Sequence, residues 1–489
     1  MSSWITQTIG PIVNGVEILT NDTMAVDSPL KDSVLYNCST ASLKDCKECV
    51  DHAQEAFNVW SKFPPSKKRM ILLKAADILE SKLEDAIELM AMEISATKAW
   101  ATTNIVQGAN TLREVAALAT HVKGEIVNAD RPDTQIFIMR EPAGVVYSIC
   151  PWNAPVQLSV RGVATPLLCG NAVILKPSEY TPKSQKLVVD VLHEAGVPKG
   201  AISFLPMAPK DAPSFTDYII SRKEVRRVTF TGSDTVGRAV AQTCAKYLKQ
   251  PVLELGCNAP VLVLDGTNLD DAVNAIVFGA FTNSGQICMS TNRVIVVNDV
   301  ADELVRRLVE KTATLRVSSA IDDQDAKISG LFSKASVSRL LGLISDAKEK
   351  GATVPLGDLK ANGTLMQPHI IDFVENTMDI FYKEAFGPIL CITRVDNIEK
   401  AVDAANDTDF TLCASVFSKD VPLAMNVARQ IRSGSSHING PTLYIEATLP
   451  NGGVGGSSGY GRFGGVHGID EFVDKRNLTI QGPGAKYPL

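Results

Sequence analysis

Short runs of β-branched and aliphatic residues recur along this chain with helical patterns between them: Val145 to Ile149, Ala172 to Leu175, Val228 to Phe230, Val261 to Leu264 and Val294 to Val297. That alternation constrains the fold more than any other feature. Strands separated by helices pair in parallel, and parallel sheets are covered by helices, so the chain is predicted to be α/β. At 489 residues it exceeds the size at which one core keeps growing, and two or three domains are expected. No internal repeat or low-complexity linker is visible, which predicts interleaved domains rather than beads on a string.

Charge and composition exclude several classes of function. The 48 basic and 54 acidic side chains give a formal charge of −6, and no basic block could track a phosphate backbone, so nucleic acid is not an expected partner. The N-terminus has no basic segment followed by an apolar one, and no uncharged apolar run approaches the roughly 20 residues that span a bilayer. No membrane association is expected, and a cytoplasmic location is the default. Ten cysteines scattered without a framework of close pairs agree with a reducing compartment. The one close pair, Cys46 and Cys49, falls in a helical stripe with Val50, Ala53, Phe57 and Trp60. A zinc site would need a second pair of ligands, so no metal is predicted.

Two segments carry ligand-binding chemistry at strand ends. Phe230-Thr-Gly-Ser-Asp-Thr-Val-Gly237 follows a strand-like run and opens a helix, where free N–H groups and a positive dipole end suit a pyrophosphate. It is not Gly-x-Gly-x-x-Gly, and a tight strand-to-helix turn is the commoner meaning of such a segment. Lys176-Pro-Ser-Glu179 puts a cation and a carboxylate just beyond the run Ala172 to Leu175. Residues 124 to 145, with the alternating Gln135-Ile-Phe-Ile-Met139, read as an extended arm.

Cys288 lies in Phe281-Thr-Asn-Ser-Gly-Gln-Ile-Cys-Met-Ser-Thr-Asn-Arg293, a glycine-loosened loop just before the run Val294 to Val297. Most free cysteines are small buried hydrophobes, but a thiol delivered on a loop at a scaffold's end has the setting of a nucleophile. Its company strengthens that reading: Pro151-Trp-Asn-Ala-Pro155, Leu253-Glu-Leu-Gly256, Glu384-Ala-Phe-Gly-Pro388 and Ser458-Gly-Tyr-Gly-Arg-Phe-Gly-Gly465. With the two strand-end segments, these motifs resemble the aldehyde dehydrogenase superfamily from about residue 40 to the C-terminus.

The resemblance implies two parallel-sheet α/β domains and a β oligomerisation arm. A Rossmann-like cofactor domain would comprise 1–123 and 146–254, with 441–469 packing back on it. The catalytic domain would be 255–440, and 124–145 with 470–489 would form the arm of a homodimer or homotetramer. It further implies oxidation of a small-molecule aldehyde through a Cys288 thioester, with oxyanion donors at the Asn153 amide and the Cys288 backbone N–H, and Glu254 as the base that activates water. Lys176, Ser178 and Glu179 would lie at the adenosine ribose. Gly232, Ser233 and Val236 would lie at the helix turn, and Ile149, Pro151, Trp152 and Leu255 along the cleft. Glu384 and Phe386 would lie at the nicotinamide end. Glu179 favours NAD, because it would repel a 2′-phosphate, with NADP still possible.

The chain departs from the family's common pattern in several places. Glu254-Leu-Gly-Cys257-Asn258 replaces Glu-Leu-Gly-Gly-Lys, and Pro450-Asn-Gly-Gly-Val-Gly455 replaces Pro-Phe-Gly-Gly-x-Lys. Gly162 and Phe463 stand where many relatives have a lysine and a glutamate that relay protons. Ile438-Asn-Gly-Pro-Thr-Leu-Tyr-Ile-Glu-Ala447, with His437, Asp211-Ala-Pro213 and Arg161, resembles the vanillin, salicylaldehyde and benzaldehyde dehydrogenase branch. That likeness implies a substrate cavity of Ala154, Leu158, Arg161, Ile287, Met289, Tyr444 and Asn451, suited to an oxygenated ring. Two alternatives stay open: a divergent member with a non-catalytic binding role, and a dehydrogenase that passes its acyl group to coenzyme A.

Overall fold

The computed structural model describes residues 3–31 and 33–487, so the first two residues of the predicted cofactor domain and the last two of the predicted arm lie outside it. Two seven-stranded sheets organise the chain. The first runs, edge to edge, through Gln250–Glu254, Val225–Thr231, Val145–Ile149, Ala172–Lys176, Ile202–Phe204, Ile12–Val13 and Val16–Glu17. Its first five strands are parallel.

The predicted parallel order holds in the body of this sheet and gives way at its edge, where the N-terminal strands pair antiparallel. The cause is local. Asn14 (φ 49°) and Gly15 (φ 72°) form a two-residue hairpin turn that joins Val13 to Val16, and Asn-Gly is the pair that tolerates two left-handed residues in succession.

The second sheet runs through Thr353–Leu356, His369–Asp372, Ile389–Val395, Thr291–Val297, Ala259–Val263, Cys413–Phe417 and Ser435–Ile438. Only its outermost strand, Thr353–Leu356, is antiparallel. The central strands Ala259–Val263 and Thr291–Val297 are buried at every position, which explains their uninterrupted apolar character.

Helix Pro155–Cys169 packs on the first sheet, against strands Val145–Ile149 and Ala172–Lys176. Proline opens it, Gly170 (φ 94°) closes it in the left-handed conformation, and all but two of its residues are buried. Helix Lys98–Ala117 packs across it, and the close approach passes over Gly108, where an added Cβ would meet Leu79 and Val156 side chains at 3.2 and 3.5 Å.

A third, three-stranded sheet joins Glu125–Val127, Thr134–Pro142 and Val473–Gln481. The last two pair antiparallel along nine residues, from Val473 opposite Pro142 to Gln481 opposite Thr134. Ile126, Leu478 and Ile480 on this arm are 77%, 47% and 51% exposed. Cys46, Cys49, Val50, Ala53 and Trp60 are buried on helix Leu43–Trp60, and Phe57 packs against them from the edge of the same stripe. No helix among the described residues is long and apolar enough to cross a membrane.

Candidate active site

Strand register fixes the floor of the site. Thr231 lies opposite Glu254, and Ile149 lies between Phe230 and Lys176, so these side chains share the carboxyl edge of the first sheet, where α/β sheets hold ligands. The thiol arrives from the other sheet. Ahead of Thr291–Val297, Asn283 (φ 50°), Ser284 (φ 56°) and Gly285 (φ 72°) take the left-handed conformation in succession. Two of them are not glycine, so the turn is held in a costly shape by its bonds. Ser284 Oγ donates to the Ser329 carbonyl at 2.9 Å and accepts the Ser329 N–H at 3.0 Å, while Gln286 donates twice to the Asn283 carbonyl. Gly285 has no alternative, since a Cβ there would lie 2.1 Å from the Gly387 carbonyl oxygen.

Cys288 follows this turn, and of the ten cysteines it alone is not fully buried. Its Sγ donates to Glu254 Oε1 at 3.1 Å. Burial pushes the thiol up to about 12, opposed by the Arg161 cation and the Met289 backbone N–H. Glu254 is 1% exposed, and its other oxygen, Oε2, is ion-paired with Arg161 Nη2. Arg161 also donates to Thr231 Oγ1 at 3.0 Å, and its guanidinium lies over the Phe463 ring, 4.6 Å from the centroid. Its Nε is buried with no partner. Asn153 donates through Nδ2 to the Gln286 carbonyl at 3.0 Å, which orients the amide and leaves its second N–H free.

Cys288, Glu254 and Asn153 open onto a cavity of about 850 Å³. All seven predicted substrate residues, Ala154, Leu158, Arg161, Ile287, Met289, Tyr444 and Asn451, line it. They are not equivalent. Tyr444 is 47% exposed, with its hydroxyl on Glu446 at 2.5 Å and its ring against His437, so it stands at the mouth. Asn451 is 5% exposed and its Nδ2 is buried without a partner. Trp100, Phe278, Phe281 and Leu443 also line the cavity and were not legible in the sequence. Trp100 Nε1 donates to the Asn153 carbonyl at 2.8 Å, yet in its own helix it reads only as a core residue.

On the opposite side, Ser233 caps helix Asp234–Lys246 and leaves its N-terminus facing outward, with Val236 half exposed in the first turn. A Cβ at Gly237 would lie 2.3 Å from the buried Leu255 side chain, so glycine lets helix and strand close up. A Cβ at Gly232 would meet the Phe230 ring at 2.6 Å. Among the described residues Lys176 Nζ donates only to the Pro177 carbonyl, at 3.0 Å, leaving protons for a ligand, with Glu179 near enough to act on its charge. Ser178 turns inward: its N–H donates to Gln185 and its hydroxyl accepts from the Tyr180 N–H.

At the far end, Glu384 accepts the Cys257 N–H at 3.0 Å, and burial pushes its carboxyl up to about 8. Arg339 holds the Glu384 and Ala385 carbonyls, and Phe386 (φ 49°) sits edge-on to Trp152 at 5.7 Å. Trp152, beyond Ile149 and the half-buried Pro151, stacks on Phe332 at 4.1 Å, a partner that no sequence motif pointed to. A helix N-terminus, an under-used lysine, two carboxylates and an aromatic shelf fit the donor set of a dinucleotide.

The model of the aldehyde dehydrogenase family matches residues 18–478. The chain belongs to that family. It is 42% identical over 461 residues to a salicylaldehyde dehydrogenase of Pseudomonas putida, covering 94% of this chain and 95% of that protein. It is 44% identical to a vanillin dehydrogenase of Pseudomonas sp. strain HR199, with the same shares covered. Its fold superposes on the crystal structure of a salicylaldehyde dehydrogenase from P. putida G7 complexed with salicylaldehyde, with a TM-score of 0.96 and 40% identity, covering 99% of this chain and all of that one.

The departures of this aldehyde dehydrogenase have structural counterparts. A Cβ at Gly162 would lie 2.5 Å from Ser148 Oγ and 3.1 Å from Cys150 Sγ, so the relatives' lysine has no room there. Phe463, in place of the glutamate, packs under Arg161. Asn258, in place of the lysine after the Glu-Leu-Gly segment, is buried and donates to the Phe381 carbonyl at 2.8 Å.

Proposed function

We propose that this aldehyde dehydrogenase oxidises an aromatic aldehyde bearing oxygen substituents to its carboxylic acid, with NAD as the preferred acceptor, Cys288 as nucleophile and Glu254 as base. The observation that carries the reading is the 3.1 Å contact of Cys288 Sγ with Glu254 Oε1 at the foot of a cavity of about 850 Å³, large enough for a substituted ring.

Glu254 accepts the thiol proton, and the thiolate adds to the aldehyde carbon. The charge that develops on oxygen meets the free N–H of Asn153 and the backbone N–H of Cys288, each such donor being worth about 3 kcal/mol. A dinucleotide would supply the acceptor for the hydride of this carbon. Lys176 and Glu179 would hold its adenosine ribose, the turn at Gly232 to Val236 its pyrophosphate, and Glu384 with Phe386 its nicotinamide end. Glu254 first gives up the thiol's proton to solvent, then takes a proton from water as that water attacks the thioester, and returns it to the departing sulfur, releasing the acid and the thiol. Aldehyde, NAD⁺ and water thus give carboxylic acid, NADH and a proton.

The presence of Glu254 speaks against transfer of the acyl group to coenzyme A, and Glu179 speaks for NAD over NADP. Ile126, Leu478 and Ile480 on the arm support a homodimer or homotetramer, because so many exposed aliphatics on one small sheet need cover.

The test is a set of initial rates of NADH formation with a panel of aldehydes. Hydroxybenzaldehydes should exceed hexanal in kcat/KM by about tenfold for each cavity donor they engage. Equal specificity constants would remove the aromatic assignment.

A further inference from the structure

The division of the Glu254 carboxylate between two partners poses a problem for a base. Oε1 faces the Cys288 thiol and Oε2 is ion-paired with Arg161, its only ion-pair partner among the described residues. Held at both oxygens, the carboxylate is fixed against the thiol, and Arg161 keeps it from turning toward a water in the cavity. That arrangement suits removal of a proton from the thiol. It does not suit activation of water in the second half of the reaction.

Arg161 itself is incompletely served. The guanidinium carries five N–H donors in a rigid planar fork. Nη2 holds Glu254 and Thr231, while Nε is buried with no partner in the wall of the substrate cavity. Nε and Nη2 present N–H groups along the same edge of the fork, so an oxygen that binds Nε lies beside Nη2 and competes with Glu254 for it. Phe463 beneath the guanidinium gives it a surface to slide on without a competing charge.

We propose that Arg161 is a latch on Glu254 that the substrate's own ring oxygen opens, so that the thioester is hydrolysed quickly only when the bound aldehyde carries a hydrogen-bond acceptor next to the reacting carbon. The proposal rests on Cys288 as nucleophile and Glu254 as base. Arg161 acts through Glu254 and is a positioning residue. In the resting enzyme it holds the carboxylate against the thiol. An acceptor on the ring then draws the guanidinium aside, and the freed carboxylate takes the proton of water.

The substrates that isolate this effect are 2-methoxybenzaldehyde and 2-ethylbenzaldehyde, which differ little in size but only one of which offers an acceptor. The methoxy group donates electrons into the acyl group and slows uncatalysed hydrolysis, so a faster rate must come from the site. Enzyme with saturating NAD is mixed rapidly with each, NADH is followed, and quenched samples are weighed by intact mass. We expect 2-ethylbenzaldehyde to give a stoichiometric NADH burst and a persistent acyl adduct. With 2-methoxybenzaldehyde we expect deacylation at least tenfold faster and little burst.

Arg161→Met should speed deacylation with 2-ethylbenzaldehyde and bring the two rates together, whereas a merely structural role would slow both. Arg161→Lys, which keeps the charge without the fork, should stay slow with both. Equal deacylation rates in the wild type overturn the latch and leave the thioester mechanism intact. Absence of an acyl adduct with every aldehyde overturns the thioester mechanism itself, and the latch with it.

Discussion

Along the carboxyl edge of the first sheet, the residues expected at the dinucleotide come from turns whose shapes are decided locally: Ser233 capping its helix, Gly232 and Gly237 where Cβ atoms would collide, and Lys176 one residue past a buried strand. The aldehyde cavity facing them draws Trp100, Arg161, Phe278, Cys288, Leu443 and Asn451 from segments spread over some 350 positions, and no one of them dictates its neighbour. The first region keeps the family's motifs. The second holds two of this chain's departures, Asn451 with an unsatisfied amide and Phe463 beneath the arginine that is ion-paired to Glu254. On the proposed reading, variation confined to the cavity wall would change which aldehyde is accepted and leave the chemistry in place.

The sharpest break of that comparison is Cys288→Ser. If Cys288 is the nucleophile shared by both sides, aldehyde oxidation should fall by at least about a thousandfold while NAD binding, read by fluorescence quenching, stays within a factor of two. Retention of most of the turnover would move the nucleophile elsewhere.

A second prediction follows from the thiol's surroundings. Burial pushes Cys288 up to about 12, so in the free enzyme it is a neutral thiol throughout the accessible range, and its thiolate fraction rises tenfold per pH unit. Alkylation of Cys288 by iodoacetamide, mapped by peptide mass, should climb about a hundredfold from pH 7.5 to 9.5 without levelling. A plateau by pH 8.5 would mean that Arg161 and the Met289 N–H outweigh burial.

The smallest effect concerns the aldehyde wall alone. Asn451→Leu removes a buried donor whose hydrogens have no partner among the described residues, and a donor left unpaired by its substrate costs about 1–3 kcal/mol. The preference for hydroxybenzaldehydes over benzaldehyde should shrink by roughly tenfold, with the NAD KM unmoved. A changed NAD KM would show the two walls to be coupled.

These contrasts explain what the sequence revealed. Parallel strands such as Ala259–Val263 are legible because burial on both faces demands an unbroken apolar run, and Cys288 is legible because the Gly285 turn before it admits little else. The hairpin at Asn14-Gly15 was missed although its signal is local, because the strands it joins are two residues long. Trp100, Phe332 and the Arg161–Glu254 pair were beyond sequence reasoning, since each acts on a partner more than 50 positions away through contacts that no spacing encodes.

The central claim is that one thiol forms an acyl-enzyme and one carboxylate releases it. Glu254→Gln keeps the shape of the side chain and removes its basicity. Mixed with NAD and 2-methoxybenzaldehyde, this variant should release about one equivalent of NADH per site, in a burst slowed by loss of the thiol's base, then turn over some hundredfold more slowly than wild type, while intact mass shows a 2-methoxybenzoyl adduct on Cys288. No adduct together with a wild-type steady rate would contradict the account.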